Sequence, residues 1–170
     1  MNRPAFLRSA MVVALIGFFL PWLLVQCSGQ TVLEANGFAL AAGQFDARDP
    51  INGSVQHQSA PPNLLIAAAL ALVVIGIPIT SRSAVRKYAR RVGWMAASAI
   101  ACSALGLNAS IRSLLTSPQA ARATGGLLSH KIEWGFGITI LALLAASLVG
   151  LATPAPANEQ STKEKAPDAT

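Results

Sequence analysis

Two histidines, His57 and His130, two cysteines, Cys27 and Cys102, and only seven carboxylates make up the chain's stock of metal ligands and proton carriers. With Glu34, Asp46 and Asp49 the histidines define one candidate surface metal site. Metal ligands must converge, and the usual signs are H-x-x-x-H or paired-cysteine spacing. Neither occurs, so these side chains are expected to be solvated loop residues. Nor is there a Ser/His/Asp arrangement, a glycine-rich phosphate loop or a carboxylate pair set for acid–base work. The reading is therefore no catalytic residue, no metal, no cofactor and no enzyme. A Cys27–Cys102 bridge would need the two Cα atoms within about 6–7 Å. The alternative, a free Cys102 acting as a small packing residue, is the one the surrounding residues favour.

The elements that would carry these residues are dominated by four apolar blocks, at 10–25, 64–79, 92–107 and 134–152, none of which holds a charged residue. At 53% hydrophobic and 12% charged, the chain is too apolar for an ordinary soluble domain. A hydrocarbon core of roughly 30 Å needs about 20 helical residues, so the shorter blocks recruit their flanks. The expected fold is an all-α membrane protein, a four-transmembrane-helix bundle with helices at about 6–25, 62–80, 92–111 and 132–152. The transmembrane domain is 1–153, and 154–170, rich in Pro, Ala and polar residues, reads as a disordered cytoplasmic tail.

Lys and Arg placement orients the bundle. Arg3, Arg8, Arg82, Arg86, Lys87, Arg90, Arg91, Lys163 and Lys165 fall on one side; only Arg48, Arg112, Arg122 and Lys131 fall on the other. The positive-inside rule then places both termini and the loop 81–91 in the cytoplasm of a bacterial inner membrane. Arg82, Arg86, Lys87, Arg90 and Arg91 form the orienting basic loop; anionic head groups suit it better than nucleic acid does. Trp22, Tyr88, Trp94 and Trp134 fall at helix ends, as membrane-interface anchors do. Two arginines before an apolar stretch also describe a signal peptide, and LLVQC has the outline of a lipoprotein site. Gln26 occupies the position where that site needs a small residue, so the first helix is retained.

The outer loop 26–61 is the one large enough for a folded external element. Asn36-Gly37 lies between two short apolar runs, 31–33 and 38–40, and predicts a small β-hairpin with its turn there. Ser28-Gly29, Asp49-Pro50 and Asn52-Gly53 mark further turns. The second outer loop, 112–131, is broken at Ser117-Pro118, with Ser129 as a candidate cap for the fourth helix.

The third helix is built from small residues. Gly93, Ala97 and Ala101 share one face, and Ser98, Cys102 and Gly106 another. The fourth carries a stripe of Gly135, Thr139, Ala142, Ala146 and Gly150, with Phe136, Ile140, Leu143 and Leu144 on the side that suits lipid. Small faces let helix backbones approach closely in lipid, so these stripes are the candidate packing or partner interfaces, and the third helix is expected to be central.

The segment FFLPWLLVQCSGQ, followed by NGFALAAGQ, resembles small uncharacterised bacterial four-helix inner-membrane proteins. In those an F-x-P-W segment ends the first helix and a C-x-G-Q-like turn opens the outer loop. The matching residues are Phe19, Pro21, Trp22, Cys27, Gly29, Gln30 and Gly37. The layout, with a large first outer loop bearing strands, also resembles the claudin-type tetraspan plan, without that plan's second loop cysteine. The resemblance implies an inner-membrane location and carries no activity.

Transport and proton relay leave ionisable residues inside membrane helices. The four blocks have none. The expected function is thus a structural or accessory membrane protein, an interaction subunit whose partners are the bilayer and other membrane subunits or itself. The alternative is an oligomeric channel or small-solute transport component lined by Ser98, Ser103 and Thr139.

Overall fold

In the computed structural model the described residues are 3–27, 30–48, 54–81, 85–116 and 128–153. Among them the chain is mostly helical, with one small antiparallel sheet. Helix α1 spans Arg3–Phe19, strand β1 Pro21–Cys27, β2 Gln30–Asn36, helix α2 Gly37–Ala42, β3 Gln44–Arg48 and β4 Val55–Ser59. Helix α3 follows at Leu64–Ser81, α4 at Val85–Thr116, strand β5 at Leu128–Ile132 and helix α5 at Trp134–Leu151.

The first helix stops six residues short of expectation, and the reason is Pro21. A proline disfavours helical backbone at the residue before it and brings no N–H of its own. The last turn closes with Leu20 N donating to Gly17 O at 3.2 Å. The apolar residues that follow then enter a sheet, because partners stand on both sides of them. Leu24 lies opposite Glu34 of β2 and opposite Lys131 of β5. The full strand order is β4-β3-β2-β1-β5.

Asn36-Gly37 is not a hairpin turn. Asn36 caps α2, its Oδ1 accepting from Ala39 N at 2.7 Å. Gly37 is required by space: a Cβ there would stand 2.7 Å from Trp22 Cε2 and 2.8 Å from Phe18 Cδ1. Gly43 ends α2 in the left-handed region, with φ 70°, which favours glycine. Strand β2 therefore pairs with β1 and β3, and the segment 38–40 belongs to a helix. The turn pairs at 28–29, 49–50 and 52–53 lie outside the described residues, as do 117–127 and the tail from 154.

Two further boundaries differ from expectation. Helix α4 begins at Val85, so Arg86, Lys87, Arg90 and Arg91 sit on its first turns and not in a loop; Arg82 lies outside the described residues. Ser129 is in β5, and the residue before α5 is Glu133, whose side chain makes no cap bond. Helix α3 runs through Pro78 to Ser81.

The four long helices pack as a ring, α1 against α3 and α5, and α4 against α3 and α5. Helix α4 is thus no more central than α5. Because β1 to β4 connect α1 to α3, and β5 connects α4 to α5, one sheet gathers both connections at one end of the bundle. Asn63 ties that end together. Its Nδ2 donates to Gly106 O at 2.7 Å and to Ser110 Oγ at 2.8 Å, while its Oδ1 accepts from Leu65 N and Ile66 N at the start of α3.

Two helices, over Tyr88–Ser113 and Trp134–Leu151, are long and apolar enough to cross a membrane; the apolar stretches Ala5–Phe19 and Leu64–Thr80 are shorter.

Candidate functional site

The interior of the bundle offers little chemistry. Its core is Leu7, Met11, Phe18, Ile66, Val73 and Leu143 with smaller residues between them. Thr139, buried, donates its hydroxyl to Gly135 O of its own helix at 2.9 Å. Ser103 is buried and its Oγ has no hydrogen-bond partner among the described residues. Ser98, by contrast, faces outward. Of the three residues expected to line an oligomeric channel, two are thus buried within the chain and one is exposed.

Of the small residues expected at contacts, Gly93, Gly106, Gly135, Thr139, Ala146 and Gly150 are buried; Ala97, Cys102 and Ala142 are half-buried; Ala101 and Ser98 are exposed. The packed face of α4 is shifted around the helix, through Ala89, Val92, Ala96, Ala99 and Ser103. On α5 the outward face is Trp134, Leu141, Leu144 and Leu148; Leu143, expected toward lipid, is fully enclosed.

Trp22 also corrects the sequence reading. It is not at an interface but completely buried, with Nε1 donating to Gly17 O at 2.8 Å and its ring against Phe18 and Phe136. Trp94 and Trp134 are exposed, and Tyr88 is half-buried under the guanidinium of Arg91, 5.4 Å from its ring centre. Cys102 is a free thiol.

One concave feature lies on the sheet. A groove of about 1000 Å³ lies between one face of the sheet, α2 and the end of α1. The register explains its lining. Cross-strand partners share a face. His57 faces Asp46, Asp46 faces Glu34, Glu34 faces Leu24, and Leu24 faces Lys131. One row of side chains therefore crosses all five strands. Gln44 and Ser59, two residues away from Asp46 and His57, line the same groove.

A hydrogen-bonded pair and an ion pair mark this row. His57 Nδ1 lies 2.6 Å from Asp46 Oδ1, with both side chains largely exposed. Lys131 Nζ lies 3.0 Å from Glu133 Oε1. An exposed pair such as His57–Asp46 contributes little to stability, typically about 0–1 kcal/mol, whereas Glu133 is mostly buried. Glu34 makes no ion pair among the described residues and sits directly opposite Asp46, an arrangement of like charges that is locally unfavourable.

Nearer the helices the lining turns apolar: Phe19, Pro21, Phe38, Ala39 and Ala42. Phe19 and Phe38 stack at 5.9 Å between ring centroids, and both remain at least half exposed.

The candidate metal set does not assemble. Among the described residues no three His, Cys, Asp or Glu side chains converge. His130 pairs with Val25, on the face away from Lys131 and hence away from His57. Asp49 is outside the described residues. The row His57–Asp46–Glu34 was hardly legible: 44–48, QFDAR, alternates polar and apolar residues, but 55–59, VQHQS, does not. Its union with Leu24 and Lys131 required the pairing of segments about a hundred residues apart in sequence.

No family model matches this chain, and no curated protein does either.

Proposed function

We propose that the protein is a four-span inner-membrane protein that serves as an interaction subunit, with its sheet on the outer side and both termini in the cytoplasm. The spans rest on the outward surface of the four packed helices. Ile16, Leu64, Ile75, Leu105, Leu141 and Leu148, drawn from all four, are each more than half exposed. A belt of that kind favours a lipid environment over water. The orientation rests on the Lys/Arg asymmetry. The layout, with one sheet built from both outer connections, supports the resemblance to the claudin-type tetraspan plan.

The observation that supports the interaction role is the set of exposed small residues on α4. This helix uses Gly93, Ala96, Ala99 and Gly106 for contacts within the chain, yet Ser98, Ala101 and Ala104 remain exposed on it, between the exposed Trp94 and Leu105. Small side chains offer lipid little contact area and offer a neighbouring helix close approach.

Cysteine labelling tests the topology: a cysteine introduced at position 46 should react with an impermeant reagent from outside, and one at 86 should not. Mild-detergent purification from the host tests the role. Ala101→Leu should leave the thermal stability of the isolated chain unchanged and abolish retention of co-purifying membrane subunits. Unchanged retention would remove α4 as the interface.

A further inference from the structure

Charge is segregated between the two ends of the bundle. The carboxylates of the described residues are Glu34, Asp46 and Glu133, all in the sheet or next to it. The other end gathers the start of α1, the end of α3, the start of α4 and the end of α5, as Gly76 against Met11 and Gly93 against Gly150 show. Arg3, Arg8, Arg86, Lys87, Arg90 and Arg91 belong to that end, and no carboxylate of the described residues does. The four on α4 also stand near the positive pole of their helix, which has no acidic residue in its first turn. Helix pole and side chains thus add to one positive potential with no anion of the described residues to offset it.

Two of these cations are placed to receive an anion. Arg90 and Arg91 are adjacent and exposed. The Arg91 guanidinium lies 5.4 Å from the ring centre of the half-buried Tyr88. A ring beneath the planar group holds it while its edge N–H groups stay free to donate. Trp94 follows one turn on, four residues from Arg90 and three from Arg91, hence on the same face. It is 60% exposed. Further along that side of α4 come the exposed Ser98, Ala101 and Leu105. One outward face therefore passes from guanidinium groups through an indole to uncharged residues. That is the order of a bilayer leaflet from phosphate through the interface to the tails.

We propose that Arg90 and Arg91 bind the phosphate of an anionic phospholipid of the inner leaflet, with Tyr88 positioning Arg91 and Trp94 at the level of the glycerol esters. Guanidinium N–H groups donate to the phosphate oxygens, a planar fork against a tetrahedral anion. A zwitterionic lipid brings its own ammonium group to its phosphate and so gains less from the same pair. The acyl chains stay in the bilayer and need no pocket, which leaves the small residues of α4 open to a partner. An acidic soluble segment would answer the charge but would leave the Trp94 ring uncovered. This inference rests on the four-span reading, in which the start of α4 is at the cytoplasmic surface; the labelling at positions 46 and 86 checks that reading separately.

The test is native mass spectrometry of the full chain released from mild-detergent micelles that hold equal amounts of phosphatidylglycerol and phosphatidylcholine of distinct mass. The parent should retain phosphatidylglycerol several-fold over phosphatidylcholine. Arg90→Gln with Arg91→Gln should bring that ratio close to one; both side chains are exposed, so thermal melting in the same micelles should be unchanged. Tyr88→Leu keeps every charge and should lower the ratio several-fold, whereas Tyr88→Phe keeps the ring and should match the parent. Arg8→Gln is the control for diffuse charge. It removes one cation from the same end, but from α1, which stands diagonally across the ring of helices from α4. It should leave the ratio near the parent's, while Arg91→Gln lowers it several-fold. The proposal is overturned if the parent shows no preference, if Arg8→Gln lowers the ratio as much as Arg91→Gln, or if water-soluble glycerophosphate displaces phosphatidylglycerol.

Discussion

Gly93 of α4 and Gly150 of α5 meet backbone to backbone. A Cβ built on Gly150 would stand 2.7 Å from Gly93 Cα and 2.7 Å from Ala89 O, and one on Gly93 would stand 2.9 Å from Leu151 N. The obstructing atoms are main chain, so no rotamer change relieves them. The helices would have to separate.

Gly150→Ala and Gly93→Ala should therefore each destabilise the chain by about 1–3 kcal/mol, the usual range for overpacking. Gly137 supplies the control. It lies on the same helix as Gly150, and nothing stands within 4 Å of its Cβ position. Gly137→Ala should be neutral or stabilising, by up to about 1 kcal/mol from helix propensity. Thermal melting of the three variants in one detergent reads the difference. Equal behaviour of Gly137→Ala and Gly150→Ala would refute the close crossing.

Trp22→Phe should cost about 1–3 kcal/mol, because it removes the hydrogen bond to Gly17 O and leaves a void among Phe18 and Phe136. An interfacial Trp would tolerate the same change with little effect. A second measurement is independent of stability. With Trp94 and Trp134 replaced by Phe, the fluorescence of Trp22 should resist quenching by aqueous iodide. Ready quenching would place the ring outside the core.

Asn63 joins three parts of the fold, so its variants separate its roles. Asn63→Ala loses the bonds to Gly106 O and Ser110 Oγ and the acceptor for Leu65 N and Ile66 N, and should cost about 1–2 kcal/mol. Asn63→Asp keeps the acceptor and loses the donor, and sets a carboxylate beside the Gly106 carbonyl. It should be at least as damaging as Ala. If Asp behaves like the parent, capping alone matters and the α3–α4 tie does not.

Ser103→Ala deletes a buried hydroxyl that has no partner among the described residues. It should be neutral or stabilising by up to about 1 kcal/mol in melting experiments, since an unpaired buried hydroxyl costs desolvation. The same variant bears on the channel alternative. A changed ion or solute flux across liposomes containing Ser103→Ala would show that the hydroxyl meets a permeant path, and would count against a packed interior.

The sequence by itself determined the apolar blocks, the absence of charge within them and the basic asymmetry between their ends. Those follow from composition along the chain, and burial or lipid contact reads composition directly. It also marked Gly93, Gly106, Gly135 and Gly150 as contact residues, because only a small side chain there permits backbone approach. It did not determine where α1 ends. An uninterrupted apolar run such as 10–25 fits a helix and a buried strand equally well, and the choice at 21–25 was made by the neighbours β2 and β5 together with Pro21. The Asn36-Gly37 pair shows the same limit. Its residue types suit a hairpin turn, but Asn also caps helices, and Gly37 is fixed by the rings of Trp22 and Phe18 crossing above it. The helix face of Ala101 and Leu143 was likewise ambiguous, since helices this uniformly apolar carry almost no periodic signal and their inward side is chosen by the helix opposite. The groove is wholly tertiary: its row of side chains exists only because strands from two distant connections share one sheet, a non-local pairing that no local pattern encodes.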